Sequence, residues 1–202
     1  MKKMYSLFKR LFDVVISVFA LVFCFPLLLI VALLIKITSK GNIIYRHRRI
    51  GKNGKIINVL KFRTMVNNIS LEDVLTKEQL EEYRKNFKIS NDPRITKIGK
   101  ILRKTSIDEL PQLINIIKGD MSIVGPRPIT VEEIKLYKEN KELLLSVRPG
   151  LTGYWATHGR SNIDYEERIK MELYYVKNMS VWMDVKIIFL TAFQILFGIG
   201  AK

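Results

Sequence analysis

The longest apolar stretch in the chain covers residues 14–35, 22 positions without a charge between Asp13 and Lys36. As a straight helix it would reach about 33 Å, the thickness of a bilayer's hydrocarbon core. By length alone this reads as one membrane-spanning helix. Two features pull the other way. Pro26 falls near the middle, where it removes a backbone hydrogen bond and kinks a helix. Basic residues also crowd both ends: Lys2, Lys3, Lys9 and Arg10 before the run, and Lys36, Lys40, Arg46, Arg48, Arg49, Lys52 and Lys55 after it. Basic flanks favour the cytoplasmic side, so a full span would drag one cluster across. A re-entrant helix broken at Pro26 keeps both clusters inside and is the preferred reading; a kinked span is the alternative. The run is too long for a signal-peptide core, and no small-residue cleavage site follows it.

Beyond this membrane segment (1–40), residues 41–202 read as an α+β, mainly helical domain. Short strands at 43–46 and 56–62 flank Gly51-Lys52-Asn53-Gly54, whose Asn-Gly pair predicts a small β-hairpin. Residues 67–90 are polar and helical in character, a surface insertion. Asp92-Pro93-Arg94 is a turn, and 95–104 is basic and amphipathic, with Ile98, Ile101 and Leu102 on one side. A helix over 110–118 stops at Gly119. Residues 131–146 read as helical, Arg148-Pro149-Gly150 as a turn, and 163–176 as a helix. A second apolar stretch, 182–200, is interrupted by Asp184 and Lys186. What remains is too short to span and suits an interfacial helix.

Charge narrows the partners. Lys and Arg number 34 against 19 acids, a net +15. Such an excess calls for a polyanion: nucleic acid, anionic lipid or phosphorylated substrates. The apolar segment points to anionic membrane lipids. Cys24 is the only cysteine, so no disulfide forms within the chain. His47 and His158 are the only histidines and lie far apart in sequence, which gives a histidine-based metal site or triad no support. There is no P-loop and no G-x-G-x-x-G.

The stretch from Arg103 to Gln112 carries most of the candidate chemistry. Asp108 and Glu109 are adjacent carboxylates at the start of a helix, just after two cations. Neighbouring helical side chains diverge by about 100°, so a shared-proton dyad is disfavoured. A division of labour fits better, one carboxylate attacking and the other holding a metal, with nearby cations keeping Asp108 ionised. The plainer reading is a capping box formed by Ser106 and Glu109. In Gly125-Pro126-Arg127-Pro128, two prolines stiffen the backbone around an arginine, an arrangement suited to bidentate phosphate recognition or simply a proline-rich turn. Alternation through Lys61-Phe62-Arg63-Thr64-Met65 puts Lys61 and Arg63 on one face, toward phosphate or toward water. The loop over 148–160 combines glycines, Tyr154, Trp155 and Arg160. A base could stack there, or its aromatics could plug the core.

These blocks, in this order, resemble the bacterial sugar transferase family, the monotopic phosphoglycosyl transferases. The resemblance rests on KFRTM, on DPRITKIGKILRKTSIDELPQLINIIKGDMSIVGPRP, on RPGLTGYWATHGR and on DYEERIKMELYYVKN. It covers nearly the whole chain and looks like the family's minimal catalytic form. It implies a protein on the cytoplasmic face of the bacterial inner membrane. There, Asp108 attacks the β-phosphate of a UDP-sugar, UMP leaves, and polyprenyl (undecaprenyl) phosphate collects the phospho-sugar. The resemblance makes Glu109 the Mg²⁺ ligand and Lys61, Arg103 and Arg127 phosphate-holding or supporting positions, with Arg160 and Glu172 at further matched positions. It also implies the re-entrant helix. Departures are Phe25 before the proline, Ala156 after the aromatic pair, and Met179; all lie away from Asp108 and Glu109. A homodimer is compatible with this reading, and nucleic acid is not expected as a partner. A membrane-anchored basic protein without catalysis would explain the charge, but not the DELPQ block or the proline-flanked arginine.

Overall fold

A computed structural model describes residues 2–66, 74–77, 79–81, 92–159 and 163–197. Most of the expected insertion at 67–90, and Arg160, lie outside them. The first helix, α1 (Lys2–Thr38), is helical straight through Pro26. The break expected there is thus not an interruption of the helix. A proline removes its own N–H bond and pushes on the carbonyl four residues back, which bends a helix without having to end it. Contacts explain why α1 holds together. Asp13, Ser17, Val31 and Ile35 are buried, and Ala20, Leu21, Leu28 and Ala32 pack against buried clusters of the body. These positions recur at helical spacing on both sides of Pro26, so one stripe docks on one body along the whole length. The remaining faces carry exposed Leu, Phe, Val and Ile. A single-crossing helix needs about 20 residues within hydrocarbon, whereas this one docks on the body both before and after Pro26. That is compatible with a monotopic arrangement.

The hairpin forms as expected, with β1 (Ile44–Ile50) antiparallel to β2 (Ile56–Phe62) and Ile50 opposite Ile56. Asn53 (φ 57°) and Gly54 (φ 79°) take the left-handed conformations that the turn needs. β1 runs further than 43–46, because its polar positions alternate across the strand instead of ending it. Next, α2 (Lys97–Thr105) is capped by Thr96, whose hydroxyl accepts from the Gly99 N–H. A Cβ on Gly99 would lie 2.1 Å from the Thr64 carbonyl oxygen, so glycine lets α2 sit directly on the end of β2. A 3₁₀ turn (Ile107–Glu109) leads into α3 (Gln112–Lys118), closed by Gly119 at φ 88°.

A short parallel pair, β3 (Ser122–Val124) and β4 (Gly150–Thr152), was not legible in the sequence. Its partners are 28 residues apart, and β4 begins at Gly150, the last residue of the segment read as a turn. The expected helix over 131–146 is a 3₁₀ stretch (Glu133–Asn140) broken at Lys138 (φ 47°), followed by α4 (Lys141–Leu145). Thr130 and Glu133 form a reciprocal capping box there: the Thr130 N–H donates to Glu133 Oε2 at 2.7 Å, and the Glu133 N–H to Thr130 Oγ1 at 3.1 Å. The chain ends through α5 (Tyr154–His158), α6 (Tyr165–Asn178) and α7 (Val181–Leu196).

The main core joins the hairpin (Ile57, Val59) to α3 (Leu113, Ile116), β3 (Ile123, Val124), α6 (Tyr175, Val176) and α7 (Ile187). Outside it, α7 exposes Trp182, Phe189, Phe193, Leu196 and, just beyond its end, Phe197. This is the surface expected of an interfacial helix. Asp184, which interrupts the apolar pattern, is buried and accepts from Tyr5 Oη (2.8 Å), Lys9 Nζ (2.7 Å) and Tyr175 Oη (2.7 Å). It ties the two apolar helices together. Asp13 does the same between α1 and β3, accepting from Ser122 Oγ (2.7 Å) and the Ile123 N–H (3.1 Å).

Candidate active site

The two adjacent carboxylates occupy a kink between α2 and α3. Ser106 is left-handed (φ 58°) and its side chain caps neither helix, so the capping-box alternative for Ser106 and Glu109 falls. The resulting 3₁₀ turn points the pair in different directions. Asp108 is buried and Glu109 half-exposed. Glu109 Oε1 accepts from Lys61 Nζ at 2.6 Å, which fixes the turn to the end of β2. From the preceding helix, Arg103 Nε donates to Thr64 Oγ1 at 2.9 Å.

Burial, and then the neighbouring Glu109 charge, push the Asp108 carboxyl up to about 6; Lys61 and Arg103 pull it back only in part. Lys61 and Arg103 favour the ionised form, and desolvation is the larger influence against it. Near neutral pH the group is still largely anionic, poorly hydrated, and close to positive charge. A carboxylate nucleophile needs that combination.

The hairpin supplies a cationic face. Residues i, i+2 and i+4 share one side of a strand, which groups Tyr45, His47 and Arg49 with Lys61, the partner of Tyr45 across the ladder. Burial pushes the His47 imidazole down to about 4, helped by Arg49, Lys61 and Arg127, so this ring is neutral at physiological pH. Arg49 Nη1 donates to Glu133 Oε2 at 2.8 Å and Arg168 Nη2 to Glu133 Oε1 at 3.2 Å. Arg127 and Arg168 both lie over the Trp155 ring, at 5.5 and 5.6 Å from its centre. Trp155 thus serves as a platform for guanidinium groups. Arg127 is held from behind as well: its N–H donates to Glu172 Oε1 at 3.3 Å.

The predicted site residues divide into three groups. Asp108, Glu109, Lys61 and Arg103 come together, whereas Arg127 lies over Trp155 and acts on His47. Glu172 does not face a substrate. It is fully buried, accepts from Tyr137 Oη, and lies 3.6 Å from Arg168 Nε; it positions the proline-flanked loop. Arg63 is a plain correction. Its buried guanidinium donates to the carbonyls of Ser39 and Lys40 and to Ser39 Oγ, holding the segment that leaves α1. The strand ends at Phe62, so the alternation that paired Arg63 with Lys61 no longer applies. Sequence reasoning missed His47, Arg49, Glu133 and Arg168. Period-two alternation over 45–49 would have found the first two. Glu133 stands at capping-box spacing from Thr130 and Arg168 four residues before Glu172, but nothing local shows that the two meet each other and Arg49 across elements.

Among the described residues no group of three or more His, Cys, Asp or Glu could hold a metal. Hard oxygen donors at Glu109, with Asp108 beside them, suit an ion such as Mg²⁺ that takes most of its ligands from phosphates and water.

Residues 4–198 match the bacterial sugar transferase family. The chain is 49% identical over 197 residues to an uncharacterized sugar transferase of Haemophilus influenzae, covering 96% of this chain and 42% of that protein. It is 44% identical over 198 residues to the undecaprenyl-phosphate galactose phosphotransferase of Salmonella typhimurium, covering 96% and 41%. With the exopolysaccharide production protein ExoY of Sinorhizobium fredii it shares 46% identity over 187 residues, covering 91% and 83%. The chain thus spans about two fifths of the length of the first two relatives and most of the third.

Proposed function

Because the chain belongs to the bacterial sugar transferase family, we propose that it moves a sugar-1-phosphate from a UDP-sugar to polyprenyl phosphate, releasing UMP. The observation that carries this reading is the buried Asp108 beside Glu109, within reach of Lys61 and Arg103. In the first step an Asp108 carboxylate oxygen forms a bond to the donor's β-phosphorus. The bond from that phosphorus to the bridging oxygen breaks, and UMP leaves with the electron pair. In the second step a phosphate oxygen of the polyprenyl carrier attacks the same phosphorus. The aspartyl–phosphorus bond breaks, which restores the carboxylate and yields a polyprenyl-diphosphate sugar.

Phosphoryl transfer needs placement and charge neutralisation above all. Lys61 and Arg103 supply positive charge next to the nucleophile, and Arg127, stiffened by its prolines and braced by Glu172, suits the donor diphosphate. Mg²⁺, held at Glu109 and completed by the donor phosphates, would offset charge on the departing UMP. The donor is water-soluble and the acceptor lipid-bound, so the reaction belongs at headgroup level. The exposed apolar faces of α1 and α7 support that placement, and the basic flanks of the apolar run favour the cytoplasmic face of the bacterial inner membrane, with anionic lipid around the cations.

The test combines a panel of UDP-sugars with short-chain polyprenyl phosphate and Mg²⁺, followed by UMP release. With acceptor omitted, intact-mass measurement should find a sugar-phosphate adduct on the wild-type chain and none on Asp108→Asn. Glu109→Gln should lose Mg²⁺-dependent turnover. An active Asp108→Asn protein, or UMP release with no adduct ever formed, overturns the mechanism.

A further inference from the structure

A cavity of about 310 Å³ lies between the first turns of α1, the β1–β2 turn, the segment after α4 and the end of α6. None of Lys61, Arg103, Asp108, Glu109 or Arg127 lines it. Its wall carries Lys9, Arg10, Lys52, Arg148 and Lys177 against a single carboxylate, Asp13. That carboxylate is committed to Ser122 and Ile123, and Lys9 is paired with Asp184. The other four cations form no ion pair among the described residues. Arg10 donates to the Ile116 and Ile117 carbonyls, and Arg148 Nε to that of Gly119. These carbonyls and the nearby Asp13 carboxylate offset the two charges only in part. Neighbouring guanidinium groups repel one another, and an anion placed between them relieves that repulsion.

The cavity's position on α1 identifies the anion. Its floor holds Tyr5, Lys9, Arg10 and Asp13, and the other faces of the same turns of that helix expose Met4, Leu7, Phe8 and Leu11. Charged and apolar surface meet at this level, which is where phosphate groups of a bilayer sit. Val147, Val176 and Met179 add an apolar wall, and the volume falls at the small end of small-molecule sites. We propose that this cavity is a second anion site, separate from the carboxylate site, that takes a phosphate group, either on a phospholipid headgroup or as a soluble phosphate. Its occupant would lie against the two arginines that hold the C-terminal carbonyls of α3, the helix that begins just after Glu109.

The test uses the full chain in uncharged detergent micelles and reads binding, so it does not depend on any turnover. Dioctanoyl phosphatidic acid, inorganic phosphate and dioctanoylglycerol are titrated calorimetrically into wild type and into a Lys52→Glu/Lys177→Glu double variant. Both substituted side chains are exposed. The site requires at least a tenfold loss of affinity for the phosphate-bearing probe in the double variant, with an unchanged melting temperature. Phosphatidic acid binding without inorganic phosphate binding identifies a headgroup site, and equal binding of the two identifies a soluble-anion site. Unchanged affinity in the double variant, or dioctanoylglycerol binding as tightly as phosphatidic acid, overturns the proposal.

Discussion

Lys61→Met tests whether burial and local charge together set the reactivity of Asp108. The Asp108 carboxyl stands at about 6 against an ordinary 3.8, so its surroundings disfavour the charged form by about 3 kcal/mol. With that value it is ionised in about nine molecules of ten at pH 7. Lys61 is one of the charges that keep it there, bridging to Glu109 at 2.6 Å. An opposite charge at close range lowers a carboxyl by about one to three units. Since Lys61 acts across Glu109 and its side chain is 27% exposed, we take the lower end, about one unit. Removing it should move the acid limb of the first half-reaction from about pH 6 to about pH 7. At pH 6.5 the ionised fraction then falls from about three quarters to about one quarter. At pH 9 both proteins are fully ionised, and any remaining deficit measures lost donor binding. The assay is single-turnover UMP release with acceptor omitted, because a phosphomonoester itself titrates near pH 6. An acid limb near pH 4 in the wild type would show that burial does not govern the nucleophile. A limb that stays in place in Lys61→Met would show that Lys61 does not act on it.

The same carboxyl makes a prediction about stability. Its folded-state proton affinity exceeds its unfolded one, so the destabilisation from the buried anion is absent below about pH 3.8 and complete above about pH 6. Asp108→Asn should therefore raise the melting temperature at pH 8, by up to about 3 kcal/mol of stability, and lose that gain toward pH 4. An equal effect at both pH values would refute the buried anion. Asp184→Ala removes the acceptor shared by Tyr5, Lys9 and Tyr175 and strands Lys9 near the surface. It should cost about 3 kcal/mol and expose the start of α1 to protease, and an unchanged cleavage pattern would count against the docking role. In a Cys24→Ser background, Met4→Cys and Lys40→Cys should both react with a membrane-impermeant thiol reagent in inverted vesicles and in neither case in intact cells. Opposite accessibility would establish a full span.

Interactions between near neighbours along the chain are legible in the order of residues alone. The length and apolarity of α1, the Asn-Gly turn, β2 and the Gly119 stop all depend on residues a few positions apart. Asp108 and Glu109 stand out because the linear pattern around them is unusual. What the sequence could not decide was which of several sound local options would win. Ser106 and Thr130 each precede a glutamate at capping-box spacing, yet only Thr130 closes the box, because Ser106 is held left-handed between α2 and the turn that carries Asp108. Asp184 reads as an interruption of an apolar helix and is in fact its anchor, through partners as far as 179 residues away. Arg63 leaves the substrate side because the segment that leaves α1 claims its guanidinium. The charge state of Asp108 is the clearest case. Local cations argue for an ordinary carboxylate, but the amount of water removed from around it depends on how β2, α2 and α3 close over the turn. Desolvation is a property of the packed whole, so only the tertiary structure could set it.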